Sequence, residues 1–157
     1  MRTDVLLVED NPGDVRLTQE LFREVNTLVD LHVASDGIDA MAFLRREGVH
    51  VYAPRPDIVL LDLNLPKMDG CEVLFQIKND DSLKAIPVIV MSMSDAKRDV
   101  ERCYQFQANC VLTKPVLLAE FESMVRSIND FWVTKVTLPL EIAIQISNSD
   151  SAVVSPR

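Results

Sequence analysis

The sequence predicts an open, doubly wound α/β domain: a five-stranded parallel sheet with helices on both faces. Five short runs rich in Val, Leu and Ile recur along the 157 residues. The runs are continuous rather than alternating, as strands are when a parallel sheet is covered on both faces. Between them lie stretches with apolar residues at helical spacing. Such βα units in series, joined by right-handed crossovers, wind into one sheet between two helical layers.

The first strand is read at Val5–Val8. The helix after it carries Leu17, Leu21 and Val25 on one face, with Asn11 as its cap, Pro12 at its first position and Asp14 near its positive end. Leu31–Ala34 is the second strand, and Ile38, Met41 and Ala42 mark the second helix. Ile58–Leu61 is the third strand, followed by a helix on Val73, Leu74 and Ile77. Val88–Met91 is the fourth, and Ala96, Val100 and Cys103 outline a weaker helix. Cys110–Leu112 is the fifth, and Leu117, Phe121, Val125 and Ile128 give the clearest helical stripe.

Composition excludes several function classes. Lys and Arg number 16 against 24 acidic residues, a net charge of −8, with no basic cluster of the kind a nucleic-acid surface needs. No apolar run approaches a membrane span, and the start, MRTDVLLVED, turns acidic too early for a signal peptide. A cytoplasmic protein is expected. Cys71, Cys103 and Cys110 have neither disulfide nor zinc spacing and read as small buried hydrophobes. His32 and His50 have no neighbouring ligands in sequence and read as structural.

In doubly wound sheets, ligands bind beyond the carboxyl ends of the strands. Strand one ends in Glu9-Asp10, strand three in Asp62, strand four in Ser92 and strand five in Thr113-Lys114-Pro115; strand two ends in the bland Ser35-Asp36-Gly37. Carboxylates so gathered repel, by roughly 3 kcal/mol per pair at ~5 Å and an effective dielectric near 20. They protonate in part or recruit a cation. Hard oxygen donors with room for water and phosphate suit Mg²⁺. Asp62 can then bind the ion with one oxygen and attack phosphorus with the other, while Lys114 and Ser92 serve phosphoryl oxygens.

The stretches LLVEDN, LLDLNLPKMDG, the Ser after IPVIVM and LTKP resemble the receiver domain of bacterial two-component response regulators, over about Thr3 to Asp130. That resemblance implies the flavodoxin-like fold and makes Asp62 the phosphoacceptor for a partner histidine kinase. It makes Asp10 a direct Mg²⁺ ligand, Glu9 a water-mediated one, and the Asn64 backbone carbonyl the last protein ligand. Lys114 matches the family's lysine, usually followed by a cis-proline, here Pro115, and Ser92 takes the switch position. Asn64 and Ser94 fall on loop positions that tune water access in the family. One position departs from the pattern: Val111 stands where the family often has a switch aromatic. NPGDVRLTQELF, GVHVYAPRPD and FWVTKVTLP further resemble the small regulators paired with cyanobacterial phytochromes, so a light-sensing kinase is the implied donor.

The receiver is expected over residues 1–133, with an extension at 134–157. In that extension Leu140, Ile142, Ile144 and Ile146 alternate like a strand, and Ser147 to Arg157 read as disordered. No output domain follows, so signalling is expected through protein contacts or a homodimer, with Tyr104, Phe106, Val111, Phe131 and Trp132 as candidate interface residues. Phe131-Trp132 can equally pack on the domain's own core. A haloacid-dehalogenase-like phosphatase also places an Asp nucleophile at a strand end. It needs a second Asp two positions later, where this chain has Asn64. An inactive docking receiver would lack the acids or the lysine, and a nucleotide-binding flavodoxin-like protein would need a longer phosphate loop than Asn11-Pro12-Gly13-Asp14.

Overall fold

A computed structural model of the chain describes residues 2–93 and 95–139. The elements run β1 (Thr3–Val8), α1 (Pro12–Val25), β2 (Val29–Ala34), α2 (Gly37–Arg45), β3 (Ile58–Asp62), α3 (Gly70–Lys78), β4 (Val88–Ser92), α4 (Lys97–Gln105), β5 (Cys110–Thr113) and α5 (Leu118–Ile128). A 3₁₀ turn at Gly48–His50 and a π turn at Asn129–Val133 complete them. The five strands are parallel, in the order β2-β1-β3-β4-β5. The chain steps outward from β1 to β2 and then crosses to β3 on the other side of β1. The switch point therefore lies between the carboxyl ends of β1 and β3, beside Glu9-Asp10 and Asp62.

Alternate side chains of each central strand feed two cores. Leu6, Val8, Val59, Leu61, Val88 and Val90 meet α2, α3 and α4 through Met41, Phe43, Val73, Leu74, Ile77 and Cys103. Val5, Leu7, Ile58, Leu60, Ile89 and Met91 meet α1 and α5 through Leu21, Phe22, Phe121, Val125 and Ile128. β3 and β4 are buried at every residue, which is why they read as continuous apolar runs.

Helix starts follow the expected chemistry. Asn11 caps α1, accepting from the Asp14 N–H at 3.1 Å, with Pro12 opening the helix. Asp36 and Asp69 cap α2 and α3 in the same way. The turn after β2, expected to be bland, has tertiary work as well. Asp36 also pairs with Lys67 at 3.2 Å, and a Cβ at Gly37 would stand 2.2 Å from the Met68 carbonyl oxygen. The end of β2 is thereby clamped against the loop that follows Asp62.

Cys103 is buried and Cys71 and Cys110 are half-buried, all three as free thiols. His32 bonds Asp4 at 2.9 Å and His50 bonds Asp39 at 2.7 Å, each ring also lying against Phe43, so both are structural. Trp132 packs on the α1/α5 core while Phe131, edge-on to it at 5.6 Å, faces outward. The chain stays on that core through Leu138. The alternating run from Leu140 and the loop residue Ser94 lie outside the described residues. Among the described residues no helix is long and apolar enough to cross a membrane.

Candidate functional site

β1 and β3 end side by side, with Val8 paired to Leu61. The two residues that follow, Glu9 and Asp62, are therefore delivered to one spot by the sheet itself. Both are almost fully buried, at 2% and 5% exposure, whereas Asp10 opens to solvent. Ligand oxygens of Glu9, Asp10 and Asp62 all lie within 4.8 Å of one another. β4 and β5 bring the remaining groups. Ser92 ends β4 in a buried position and pairs with Thr113, and the Lys114 N–H donates to the Ser92 carbonyl at 2.7 Å.

The Lys114 ammonium lies at the centre of the cluster. It is 2.7 Å from Glu9 Oε1, 2.7 Å from Asp14 Oδ2 and 3.5 Å from Asp62 Oδ2. Burial works against its charge, but the hydrogen bonds to Asp14 and Glu9 and the charge on Asp62 outweigh that and hold its pKa above the usual lysine value. The lysine is thus a fixed positive charge across the working pH range. Asp62 turns its other oxygen, Oδ1, to the Asn64 backbone N–H at 3.0 Å. The groups border an open depression of about 440 Å³ lined by Glu9, Asp10, Asp14, Asp62, Asn64 and Lys114.

These residues fit a divalent cation. Glu9 Oε2 is the buried side-chain oxygen that lacks a hydrogen-bond partner among the described residues, and it belongs to the three-carboxylate cluster. Burial, and then the nearby Asp62 carboxylate, push the Glu9 carboxyl above the usual carboxylate range. A cation entering the cluster must expel that proton. Affinity for Mg²⁺ or Mn²⁺ is therefore expected to go on rising with pH above the usual carboxylate range, by at most about tenfold per unit, before it levels off. Calorimetric titration at several pH values checks this, and a flat profile would contradict the raised carboxyl.

The structure thus brings Glu9, Asp10, Asp62, Asn64, Ser92 and Lys114 to one edge of the sheet. Of the other residues singled out, Val111 is half-buried in β5, and its N–H donates to the hydroxyl of Tyr104, which reaches across from α4 at 3.2 Å. Phe106 lies edge-on to Phe75 at 5.6 Å and under Arg102, partly buried in the α2–α4 core. Phe131 and Trp132 lie on the other side of β5, where they border an apolar recess with Cys110, Leu112 and Ile128. The candidate interface residues therefore split between the two sides of this edge strand.

The cis-proline implied for Pro115 is corrected: every peptide bond of the described residues is trans. Trans is the favoured form of an X–Pro bond by roughly 0.5–1 kcal/mol, and Lys114 reaches the cluster with its own N–H already held by β4. Sequence reasoning missed Asp14 as a site residue. Its signal there, an acid in the first turn of a helix, is that of ordinary helix-end electrostatics.

Residues 5–126 match the family described as the response regulator receiver domain. The chain is 46% identical over 135 residues to the response regulator Rcp1 of Synechocystis, covering 86% of this chain and 92% of that protein. The phosphorylated cyanobacterial phytochrome response regulator RcpA superimposes with a TM-score of 0.85 at 44% identity, covering 88% of this chain and 99% of that one. The Mn²⁺-bound form of Rcp1 gives a TM-score of 0.83 at 45% identity over 87% and 99% of the two chains. With the sheet order, the clustered acids and the buried lysine already in place, the chain belongs to the response regulator receiver family.

Proposed function

We propose that this protein is a single-domain response regulator that accepts a phosphoryl group on Asp62 from a partner histidine kinase. The observation that carries the assignment is the buried Asp62 carboxylate, held by the Asn64 N–H on one oxygen and faced by the Lys114 ammonium 3.5 Å from the other. One oxygen of Asp62 attacks phosphorus, the P–N bond to the donor imidazole breaks, and the electron pair returns to that nitrogen. Glu9, Asp10, Asp62 and the Asn64 carbonyl would hold Mg²⁺, which when bound neutralises charge on the phosphoryl oxygens. Lys114 neutralises a further oxygen, and Ser92, at the end of β4, donates to another. Self-dephosphorylation reverses the charge pattern with water as acceptor. Asn64 cannot serve there as the acid/base that a dedicated phosphatase requires.

Mn²⁺ is bound by the related Rcp1, which supports a divalent cation here. Mg²⁺ is the choice that oxygen-only donors and retained water favour. The likeness to RcpA, a cyanobacterial phytochrome response regulator, and to a bacteriophytochrome response regulator, 36% identical with a TM-score of 0.69, supports a phytochrome-type kinase as donor. Val116, Leu117 and Leu118, exposed at 87%, 63% and 61% directly after Lys114-Pro115, offer that kinase an apolar lip beside the reacting aspartate.

Output is by protein contact. Movement of Ser92 toward the phosphoryl group pulls on the β4–α4 connection. With Val111 in place of an aromatic, the Tyr104–Val111 hydrogen bond is the tie that passes the shift to β5. The apolar recess at Phe131 and Trp132 suits a homodimer across the β5 edge. Lys114→Ala is expected to leave slow phosphorylation, reduced about 10- to 100-fold, and to blunt the conformational response. Acetyl phosphate labelling read beside tryptophan fluorescence of Trp132 checks both. An undiminished response would remove the lysine from its assigned role.

A further inference from the structure

We infer that Asp14 is a counterion that competes with the phosphoryl group for Lys114, so that it sets how readily Asp62 is phosphorylated. The inference rests on the phosphoacceptor reading above. It starts from a mismatch in distances: Lys114 Nζ lies 2.7 Å from both Glu9 Oε1 and Asp14 Oδ2, yet 3.5 Å from Asp62 Oδ2. An ammonium has three donors, and the two short contacts take two of them away from the reacting carboxylate. The acid partners are not equivalent. Glu9 is fixed just beyond the end of β1 at 2% side-chain exposure, while Asp14, in the first turn of α1, is 35% exposed at the rim of the depression. Its backbone N–H is already held by Asn11 Oδ1, so the helix start does not depend on where its carboxylate points.

A phosphoryl group on Asp62 brings two negative charges and new acceptor oxygens to within reach of the same ammonium. One donor remains for that group, so each further bond the buried ammonium makes to it requires the release of a present partner. Asp14 is the partner that can be rehydrated at small cost, because its carboxylate already touches water. Releasing Glu9 would strand its Oε1, a buried oxygen that Lys114 now holds. The Asp14–Lys114 pair is thus the contact exchanged on phosphorylation, and its strength subtracts from the binding of the phosphoryl group.

The test is a beryllofluoride titration at saturating Mg²⁺ on four full-length proteins: the parent, Asp14→Asn, Lys114→Ala and Asp14→Asn/Lys114→Ala. Asp14→Asn is expected to tighten beryllofluoride binding about fivefold, equivalent to ~1 kcal/mol. Asp14→Glu is expected to return it to the parent value. In the Lys114→Ala background the same change is expected to do nothing, since there is no ammonium left to compete for. A gain that persists without Lys114 would mean that Asp14 acts only by general repulsion of anions and would overturn the competition. Unchanged or weaker binding by folded Asp14→Asn would overturn it too. Failure of the parent itself to bind beryllofluoride would instead strike the phosphoacceptor reading beneath it.

Discussion

Asp62→Asn is expected to abolish incorporation of acid-labile phosphate from acetyl phosphate with Mg²⁺, a loss of at least about 1,000-fold. The amide has nearly the shape of the carboxylate, and its oxygen can still accept the Asn64 N–H that Asp62 Oδ1 accepts at 3.0 Å. It lacks the charge and the nucleophilic oxygen. Folding is expected to survive, because the substitution removes one of the carboxylates that crowd within 4.8 Å at the end of β1 and β3 and relieves their repulsion. A thermal melt at or above the parent value, together with absent labelling, separates a lost nucleophile from a lost fold. Labelling that continued at even a tenth of the parent level would move the acceptor elsewhere.

The second large effect comes from a residue without chemistry. Gly70→Ala places a Cβ 2.4 Å from the Asp62 carbonyl oxygen and 2.5 Å from Leu63 Cα. Both obstacles are backbone, so no rotamer relieves them and the loop itself must shift. Gly70 also donates its N–H to the Leu63 carbonyl at 2.9 Å, which fixes α3 against the strand that carries the aspartate. A destabilisation of ~3 kcal/mol is expected, a fall in Tm of roughly 8 °C for a domain of this size. Cation binding is expected to weaken as well, because the displaced atoms belong to Asp62 and its neighbour. Chemical denaturation and calorimetry read the two effects separately. A variant as stable as the parent would show that the loop is softer than its packing implies.

Gly70 also shows where the sequence is legible and where it is not. Its place after Asp69, before an apolar helical stripe, announces a turn into α3 and nothing more. That its missing side chain makes room for the aspartate's own carbonyl appears only once the loop is folded. The central strands were plain because burial on both faces demands uninterrupted Val, Ile and Leu. The edge strand β2 starts two residues before the run Leu31–Ala34 that predicts it, because polar Asp30 and His32 alternate there with apolar neighbours and blur its start. β1 likewise starts before its apolar run, at Thr3 and Asp4, half-buried residues at its open end.

The site was legible for a related reason. Strand ends are read directly from strand positions, and parallel connections bring all carboxyl ends to one edge. Contacts made by helices are harder, because a helix places its side chains by rotation as well as by order. Asp14 reads as a favourable charge at a helix start, and only the reach of the Lys114 side chain from the end of β5 to the first turn of α1 makes it a partner. Lys78 is a similar case. It lies in the last turn of α3, yet its Nζ is buried among the carbonyls of Lys84 and Ile86 and the Asn109 side chain, at 3.0, 2.9 and 2.9 Å.

The central claim, that the end of β3 is where phosphate is received, is tested most directly by locating the modification. The protein is incubated with acetyl phosphate and Mg²⁺, the acyl phosphate is reduced with borohydride, and the peptides are sequenced by mass spectrometry. Conversion of position 62 to homoserine, lost in Asp62→Asn, is the predicted result. Homoserine at Asp10 or Asp14, or acid-stable phosphate on Ser92, would contradict it.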